Sequence, residues 1–169
     1  MNLKRLLFSM SSLVDLGQEA TSSKDLSLKM KSALYVITGT FSVPTAALFV
    51  YHPQQRSLEL LAEKGFKKSA RQEIKLSVLQ QHIDQFNANE PHPVHEIAKS
   101  SFYERNENIF SKLHTRLFIP LFAKDEFVGA ISLGKKLGRA TFRQSEKDVL
   151  RVVAHQMAIT LYNAMLFLE

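Results

Sequence analysis

Apolar residues near the start of the chain recur at helical spacing in two segments. The first covers residues 3–14 and the second covers residues 26–37, where positions three and four apart are apolar. Gly39 and Pro44 follow the second segment, and both residue types end helices. Residues 1–39 are therefore predicted to form two N-terminal helices.

Two pairs of β-type segments come next, each joined by a short polar turn. Residues 46–51 and 58–63 form the first pair, and residues 116–123 and 127–134 form the second. Because strands joined by such short turns must be antiparallel, the sheet is predicted to be mostly antiparallel and the fold class is α+β. The sheet region is assigned to residues 45–134.

The pattern is weaker in residues 65–113, which we interpret as a variable insert. Residues 76–86 favour a short helix, Pro93 to His95 a brief extended segment, and residues 97–113 an irregular helix. By contrast, residues 145–168 contain neither Gly nor Pro, so a long C-terminal helix is predicted for residues 143–169.

Length and charge set bounds on the function. With 169 residues the chain fits one domain. Its net charge is +6, and its basic residues gather in two groups that each contain only one aromatic residue, which argues against binding of nucleic acid. These groups lie in residues 64–75 and 135–151, and attraction of an anionic ligand or an acidic partner is the alternative to plain solvation. No apolar run reaches the roughly 20 residues needed to cross a bilayer, so direct membrane insertion is not expected. We expect a cytoplasmic location.

The segment from Thr115 to Phe142, with its hairpin and following helix, resembles GAF domains, the small sensory modules of signalling proteins. The pattern Val128-Gly-Ala-Ile131 in the second hairpin strand is similar to one that recurs in that family. The resemblance implies a single domain over residues 1–169, with a central sheet of five or six strands. It also implies terminal helices on one sheet face, the insert on the other, and a small-molecule pocket between sheet and insert.

The resemblance also narrows the ligand. Cyclic-nucleotide relatives carry Asn-Lys, then Phe, then Asp-Glu; here Gly134 stands in place of Asn and Glu146-Lys147 in place of Asp-Glu, although Lys135, Lys136 and Phe142 match loosely. Weak or absent binding of cyclic AMP and cyclic GMP is therefore expected. In this family, bilin attachment needs a cysteine, and the free methionine sulfoxide reductase works through cysteines. The chain has no cysteine, so neither function is expected.

No enzyme motif is present. The chain lacks a Gly-x-Ser-x-Gly elbow, a phosphate-binding glycine loop, a His-Glu-x-x-His helix and a dinucleotide-binding fingerprint. His92 and His95 form a His-x-x-His pair without a third well-placed ligand, so no metal site is predicted. The chain is therefore expected to be a non-catalytic, bacterial-type sensory domain, and the identity of any cofactor is left open.

Pocket residues are chosen from the strand positions that face the insert, together with nearby polar groups. Alternation alone leaves open which face meets which layer, because both faces of residues 115–123 are largely apolar. The predicted ligand-binding residues, for a small organic ligand, are Phe49, Tyr51, His95, Tyr103, Arg116, Phe118, Pro120, Ile131 and Leu133.

The C-terminal helix carries two apolar stripes, and two stripes need two partners. One stripe is expected to pack on the sheet, and the other, at heptad spacing with two amides, predicts a homodimer. Its residues are Val149, Val152, Gln156, Ile159, Asn163 and Leu166. Packing within one domain remains the alternative.

In related proteins such a helix continues into an effector domain, so a C-terminal effector is an expected partner. The alternative function is that of a ligand-free dimerisation module.

Overall fold

The computed structural model describes residues 23–66, 74–138 and 141–168. Its first helix, α1, is Ser23–Phe41, which confirms the second of the two predicted N-terminal helices. The other predicted helix lies outside the described residues. The long C-terminal helix, α6, is Gln144–Leu168, as its uninterrupted helical spacing predicts.

Six strands form one antiparallel sheet. In chain order they are β1 (Ala46–His52), β2 (Ser57–Lys64), β3 (Lys75–Ser77), β4 (His92–Pro93), β5 (Leu117–Ala123) and β6 (Glu126–Leu133). The spatial order is β3-β2-β1-β6-β5-β4, so the two predicted hairpins meet where β1 pairs with β6. The predicted α+β class and antiparallel sheet are confirmed.

The described part of the insert, residues 65–66 and 74–113, contains four short helices. They are α2 (Gln80–Ile83), α3 (Val94–Ile97), α4 (Ser101–Arg105) and α5 (Glu107–Leu113). One detail of the prediction is wrong: Leu76 belongs to strand β3, where it pairs with Leu58, and not to a helix. Leu76 and Val78 alternate as a strand does and both are buried, so burial on the sheet overrides the helical spacing that Leu76 shares with Leu79 and Ile83.

Each face of the sheet carries its own hydrophobic core. Helices α1 and α6 pack on one face, where residues such as Leu34, Ile119 and Met157 form the helix-side core. The insert covers the other face, where Phe49, Phe118 and other residues form the insert-side core. The sheet is therefore buried on both sides, which explains why β5 is apolar at nearly every position.

A β-bulge determines which face of the sheet each side chain of β6 lies on. Leu121 pairs with Gly129 while Phe122 pairs with Phe127, so β6 carries one extra residue. At Gly129 any Cβ would collide with the Phe49 carbonyl oxygen, which accounts for glycine there. Beyond the bulge, Ile131 and Leu133 lie in the helix-side core. The prediction that these two residues face the insert is wrong, because the register of β6 turns them toward α1 and α6.

Two buried asparagines fasten the insert to the sheet. The Asn89 side chain accepts a hydrogen bond from the Phe122 N–H (3.0 Å) and donates to the Phe122 carbonyl (3.2 Å). Asn106 does the same at the other edge, accepting from the Ser77 N–H (2.7 Å) and donating to the Ser77 carbonyl (2.8 Å). Each amide thus replaces a neighbouring strand's backbone and fixes one end of the insert.

The start of helix α6 is stabilised by a hydrogen bond from the backbone of Arg143 to the side chain of Glu146. The Arg143 N–H donates to the Glu146 carboxylate (2.9 Å), which satisfies one of the unpaired amides at the helix start.

Among the described residues, no helix is both long and apolar enough to span a membrane.

Candidate functional site

The space beneath the insert is occupied by the protein's own aromatic rings. We call these rings the aromatic cluster; its centre is Phe102, which contacts Phe86, Phe110 and Phe118 at ring-centroid distances of 5.1, 5.7 and 5.3 Å. Its other members are Phe127, Tyr51, Phe122, Tyr103 and His82. The predicted pocket region is therefore packed as a core.

A cavity of about 90 Å³ remains at the edge of the aromatic cluster. Ligand pockets commonly measure roughly 300 to 1,000 Å³, so this space suits at most a very small molecule. His82 lines it, and its ring is held by two hydrogen bonds. Nδ1 accepts from the Leu79 N–H (3.0 Å), which places the proton on Nε2, and Nε2 then donates to the Ser101 hydroxyl (3.0 Å).

Because His82 is held as the neutral imidazole, stability should depend on pH. Burial, with a smaller contribution from Arg105, lowers the pKa of His82 below its ordinary value of 6.5. In the window below pH 6.5 the unfolded chain binds more protons than the folded one, so the free energy of unfolding rises with pH there. The contribution is complete above pH 6.5 and is lost as the pH falls through the folded-state pKa.

Urea denaturation between about pH 5 and about pH 7 checks this prediction. His82→Gln should flatten the slope, because glutamine can accept and donate hydrogen bonds without titrating. An equal slope in the wild-type protein and His82→Gln would contradict it.

A basic cleft of about 520 Å³ lies at the junction of insert, sheet and α6. The insert contributes Val94 and His95, and β5 and the residue before it contribute Leu117 and Arg116. The segment after β6 and the first turns of α6 supply the rest. They are Lys135, Lys136, Thr141, Phe142 and Lys147, with Pro93 completing the wall.

The backbone around the cleft is fixed by the sheet. The Arg116 N–H donates to the Leu133 carbonyl (2.8 Å), and the Arg116 carbonyl accepts from the Val94 N–H (2.9 Å). Position 116 is therefore locked on both sides while its side chain is exposed beside the cleft. The backbone that carries the Arg116 cation therefore needs no further ordering when a ligand binds.

Lys136 differs from the other cations of the cleft because it is already paired. Its ammonium donates to both oxygens of Glu146 (2.9 and 2.7 Å) and lies 5.7 Å from the centroid of the Phe142 ring. Although burial acts to raise it, the Arg143 N–H and the Lys136 ammonium together hold the pKa of Glu146 below its ordinary value. Glu146 thus stays charged and anchors Lys136 to the start of α6.

The structure shows where the residues compared with the cyclic-nucleotide pattern lie. Lys136, Phe142 and Glu146 are brought together, although they are dispersed in sequence. Gly134 stands where the pattern has Asn, and a Cβ at this position would collide with the Thr45 side chain. The local packing of β1 against β6 therefore requires glycine at position 134.

A second ion pair links the insert to α6 directly. Arg151 donates from Nε and Nη2 to the two carboxylate oxygens of Glu90, at 2.6 and 3.0 Å. These hydrogen bonds lower the pKa of Glu90 and raise that of Arg151, so both remain charged. The two-point contact joins residues 61 positions apart and couples the insert's placement to the helix.

The predicted ligand-binding residues separate into three places. His95 and Arg116 line the basic cleft. Phe49 and Phe118 are buried in the insert-side core with Tyr51 and Tyr103 against it, and Pro120 is buried within β5. Ile131 and Leu133 face the helices. We placed Lys135, Lys136 and Lys147 in a basic group and compared them with the cyclic-nucleotide pattern, but did not predict them as ligand-binding residues. The signal that could have joined them to Arg116 is the hairpin pairing of β5 with β6.

The predicted dimer stripe on α6 is partly exposed. Val152 and Leu166 are exposed, while Gln156, Ile159 and Asn163 are half-buried. Val149 is buried in the helix-side core, which removes it from the predicted interface, because the first turns of α6 press it onto the sheet. Within the described ranges, no group of three or more His, Asp or Glu side chains is arranged to hold a metal ion.

Comparison with solved structures identifies the fold. The chain matches the phycoerythrobilin-bound GAF domain from a cyanobacterial phytochrome with a TM-score of 0.68 and 12% identity, covering 98% of this chain and 97% of that one. It matches the GAF domain from a phosphoenolpyruvate-protein phosphotransferase of Coxiella burnetii with a TM-score of 0.68 and 13% identity, covering 98% of each chain. The predicted GAF-like fold is thereby confirmed.

A third neighbour is an enzyme. The free methionine-R-sulfoxide reductase from Neisseria meningitidis, solved with its substrate, gives a TM-score of 0.61 at 12% identity over 93% of this chain and 88% of that one. No protein-family model and no curated protein sequence matches the chain. At such low identities the structural matches establish the fold alone.

Proposed function

Because the chain has the GAF-domain fold, we propose that it is a non-catalytic regulatory domain of a signal-transduction protein. In this proposal it binds a small molecule and passes its bound state to an effector through α6. The observation that carries the proposal is the position of the basic cleft, whose wall includes both the insert and the first turns of α6. A ligand there would contact the sensing layer and the output helix together.

The ion pairs support a relay through the same junction. Glu146 connects Lys136 of the cleft to the start of α6, and Glu90 connects the insert to Arg151 one turn further along the helix. A ligand that repositions the insert would therefore act on α6 through direct, charge-assisted hydrogen bonds. The chain contains no cysteine, which supports a non-catalytic role among folds of this kind.

Thermal unfolding of the full chain with a metabolite library tests the binding step. A ligand that binds only the folded state at 100 times its Kd should stabilise it by about 2.7 kcal/mol and raise Tm by several degrees. Cyclic AMP and cyclic GMP serve as comparison compounds and are expected to give little or no shift. A library that leaves Tm unchanged would contradict ligand sensing.

A ligand-free dimerisation module is the second candidate function. The aromatic cluster favours it, because the space under the insert, where the GAF resemblance implies a pocket, is filled by Phe102 and its neighbours. Exposed Val152 and Leu166 on α6 supply apolar surface for a second copy. In this case the basic cleft would bind no small molecule.

Substitution on α6 should separate dimerisation from folding. We expect the full chain to be a dimer, and Val152→Lys to weaken it with little loss of stability, because Val152 is 47% exposed in the single chain. Ile159→Lys should instead destabilise the fold, since Ile159 packs against the helix-side core. Sedimentation equilibrium and urea denaturation measure the two effects, with His155→Lys as the control on an exposed polar position. A monomeric wild-type protein at tens of micromolar would overturn the dimer.

A further inference from the structure

We infer that the basic cleft binds a phosphorylated small molecule. Arg116, Lys135 and Lys147 would hold the phosphate, and an apolar or planar body would lie against Leu117 and Phe142. This inference rests on the proposed function and deepens it, because it names the chemical class of the ligand.

The size and construction of the cleft suit a small organic molecule. Its volume of about 520 Å³ lies within the range of roughly 300 to 1,000 Å³ that is common for ligand sites. Separate segments supply the three cations: Arg116 precedes β5, Lys135 follows β6, and Lys147 lies in the first turns of α6. A single ligand would thus bridge the sheet and the helix.

The charge of the cleft selects an anion. Arg116, Lys135 and Lys147 have no carboxylate partner within residues 23–66, 74–138 and 141–168, and no Asp or Glu lines the cleft. Lys136 is neutralised by Glu146, so the unpaired charge comes from the other three side chains. Clefts lined by one sign of charge concentrate ions of the other sign.

The number of cations favours phosphate over a single carboxylate. A phosphate monoester carries about −1.5 to −2 charges near neutral pH and offers three acceptor oxygens, whereas a carboxylate carries one charge and two oxygens. Arg116 can donate two parallel hydrogen bonds to phosphate, and Lys135 and Lys147 supply point charges around it. Three cationic donors therefore match one phosphate group.

The apolar part of the cleft has a place for the rest of the ligand. Leu117 is buried beneath it, and the half-buried Phe142 ring is held on one side by the Lys136 ammonium. A ring or short apolar chain attached to the phosphate would cover the Phe142 ring and remove it from water. Phosphate alone would leave that ring partly exposed and should bind more weakly.

An NMR titration of the full, 15N-labelled chain tests the inference, with phenyl phosphate as the probe. We expect saturable shifts of amides around the cleft, at residues 94–95, 116–117, 135–136 and 141–147. Inorganic phosphate should shift the same amides at higher concentration, and benzoate should bind more weakly than phenyl phosphate. Shifts confined to other parts of the chain, benzoate binding as tightly, or no saturation would each overturn the inference.

Variants of the cleft distinguish a built site from general attraction to a basic protein. Arg116→Gln and Lys147→Gln should each weaken phenyl phosphate binding by about tenfold, since each removes a hydrogen bond between charged groups. Lys99→Gln changes the net charge equally at an exposed lysine outside the cleft and should leave the Kd within about twofold. Equal weakening by all three variants would show nonspecific binding and contradict the inference.

The inference and the proposed function can fail separately. If a neutral metabolite stabilises the chain and phenyl phosphate does not bind, the inference fails while the sensory function stands. If phenyl phosphate binds in the cleft and hydrogen exchange in residues 144–168 is unchanged, the cleft assignment stands and the relay through α6 fails.

Discussion

Replacing Phe102 with alanine is expected to lower the free energy of unfolding by about 3 to 5 kcal/mol. Phe102 is 2% exposed, and its ring contacts the rings of Phe86, Phe110 and Phe118, so truncation leaves a cavity at the centre of the aromatic cluster. Urea denaturation measures the loss.

Phe102→Leu is the matched control. Leucine keeps most of the buried volume and loses only the ring contacts, which contribute about 0.5 to 1.5 kcal/mol each beyond burial. The leucine variant should therefore be clearly more stable than the alanine variant. A loss below about 1 kcal/mol for Phe102→Ala would show that the insert does not pack as a core on the sheet.

Replacing Glu146 with alanine is expected to cost about 3 kcal/mol, because it leaves the Lys136 ammonium without its partner. The side chain of Lys136 is 10% exposed and that of Glu146 is 6% exposed, so solvent replaces the lost contact poorly. The Arg143 N–H also loses its acceptor at the start of α6. Chemical denaturation of the full chain measures this change.

Two further variants show whether charge pairing is the cause. The double variant Lys136→Met with Glu146→Gln should recover much of the loss, since no unpaired buried charge remains. Asp148→Ala removes an exposed carboxylate two residues away, paired with Arg151, and should cost clearly less than Glu146→Ala. Similar losses for Glu146→Ala and Asp148→Ala would contradict the buried-pair interpretation.

Local patterns predicted the elements well where their spacing was regular. The hairpin of β5 and β6 consists of two apolar segments joined by a two-residue turn at Lys124 and Asp125, both with positive φ, so the strands and their pairing follow from the sequence. Helix α6 was equally clear because it is long and lacks Gly and Pro. Such signals depend only on neighbouring residues.

Two features were harder to predict: which sheet face each side chain lies on, and which distant residues come together. Both depend on residues far away in the sequence. The bulge before Ala130 reverses the alternation of β6 and turns Ile131 and Leu133 to the helix side, and no local residue type announces it except Gly129. The pair Glu90 and Arg151 is set by how the insert lies on the domain. The basic cleft likewise needs the register that places Arg116 opposite the end of β6.

The composition of the insert also misled the pocket prediction. Polar residues at the positions of His92, His95 and Tyr103 are typical of a mobile cover over a ligand. In the structure, apolar residues of the same insert, Phe102 and Phe110 above all, fill the space beneath it. Sparse apolar residues can still form a dense core when they are large and aromatic.

Hydrogen exchange of α6, measured on the full chain with and without a saturating ligand, tests whether ligand binding reaches this helix. A sensory relay predicts slower exchange in the first turns of residues 144–168 and in residues 90–97, with the effect on the helix reduced in Glu90→Gln, because Glu90 connects the two segments through Arg151. Unchanged exchange in α6 when a ligand saturates the domain would contradict a sensory relay through this helix.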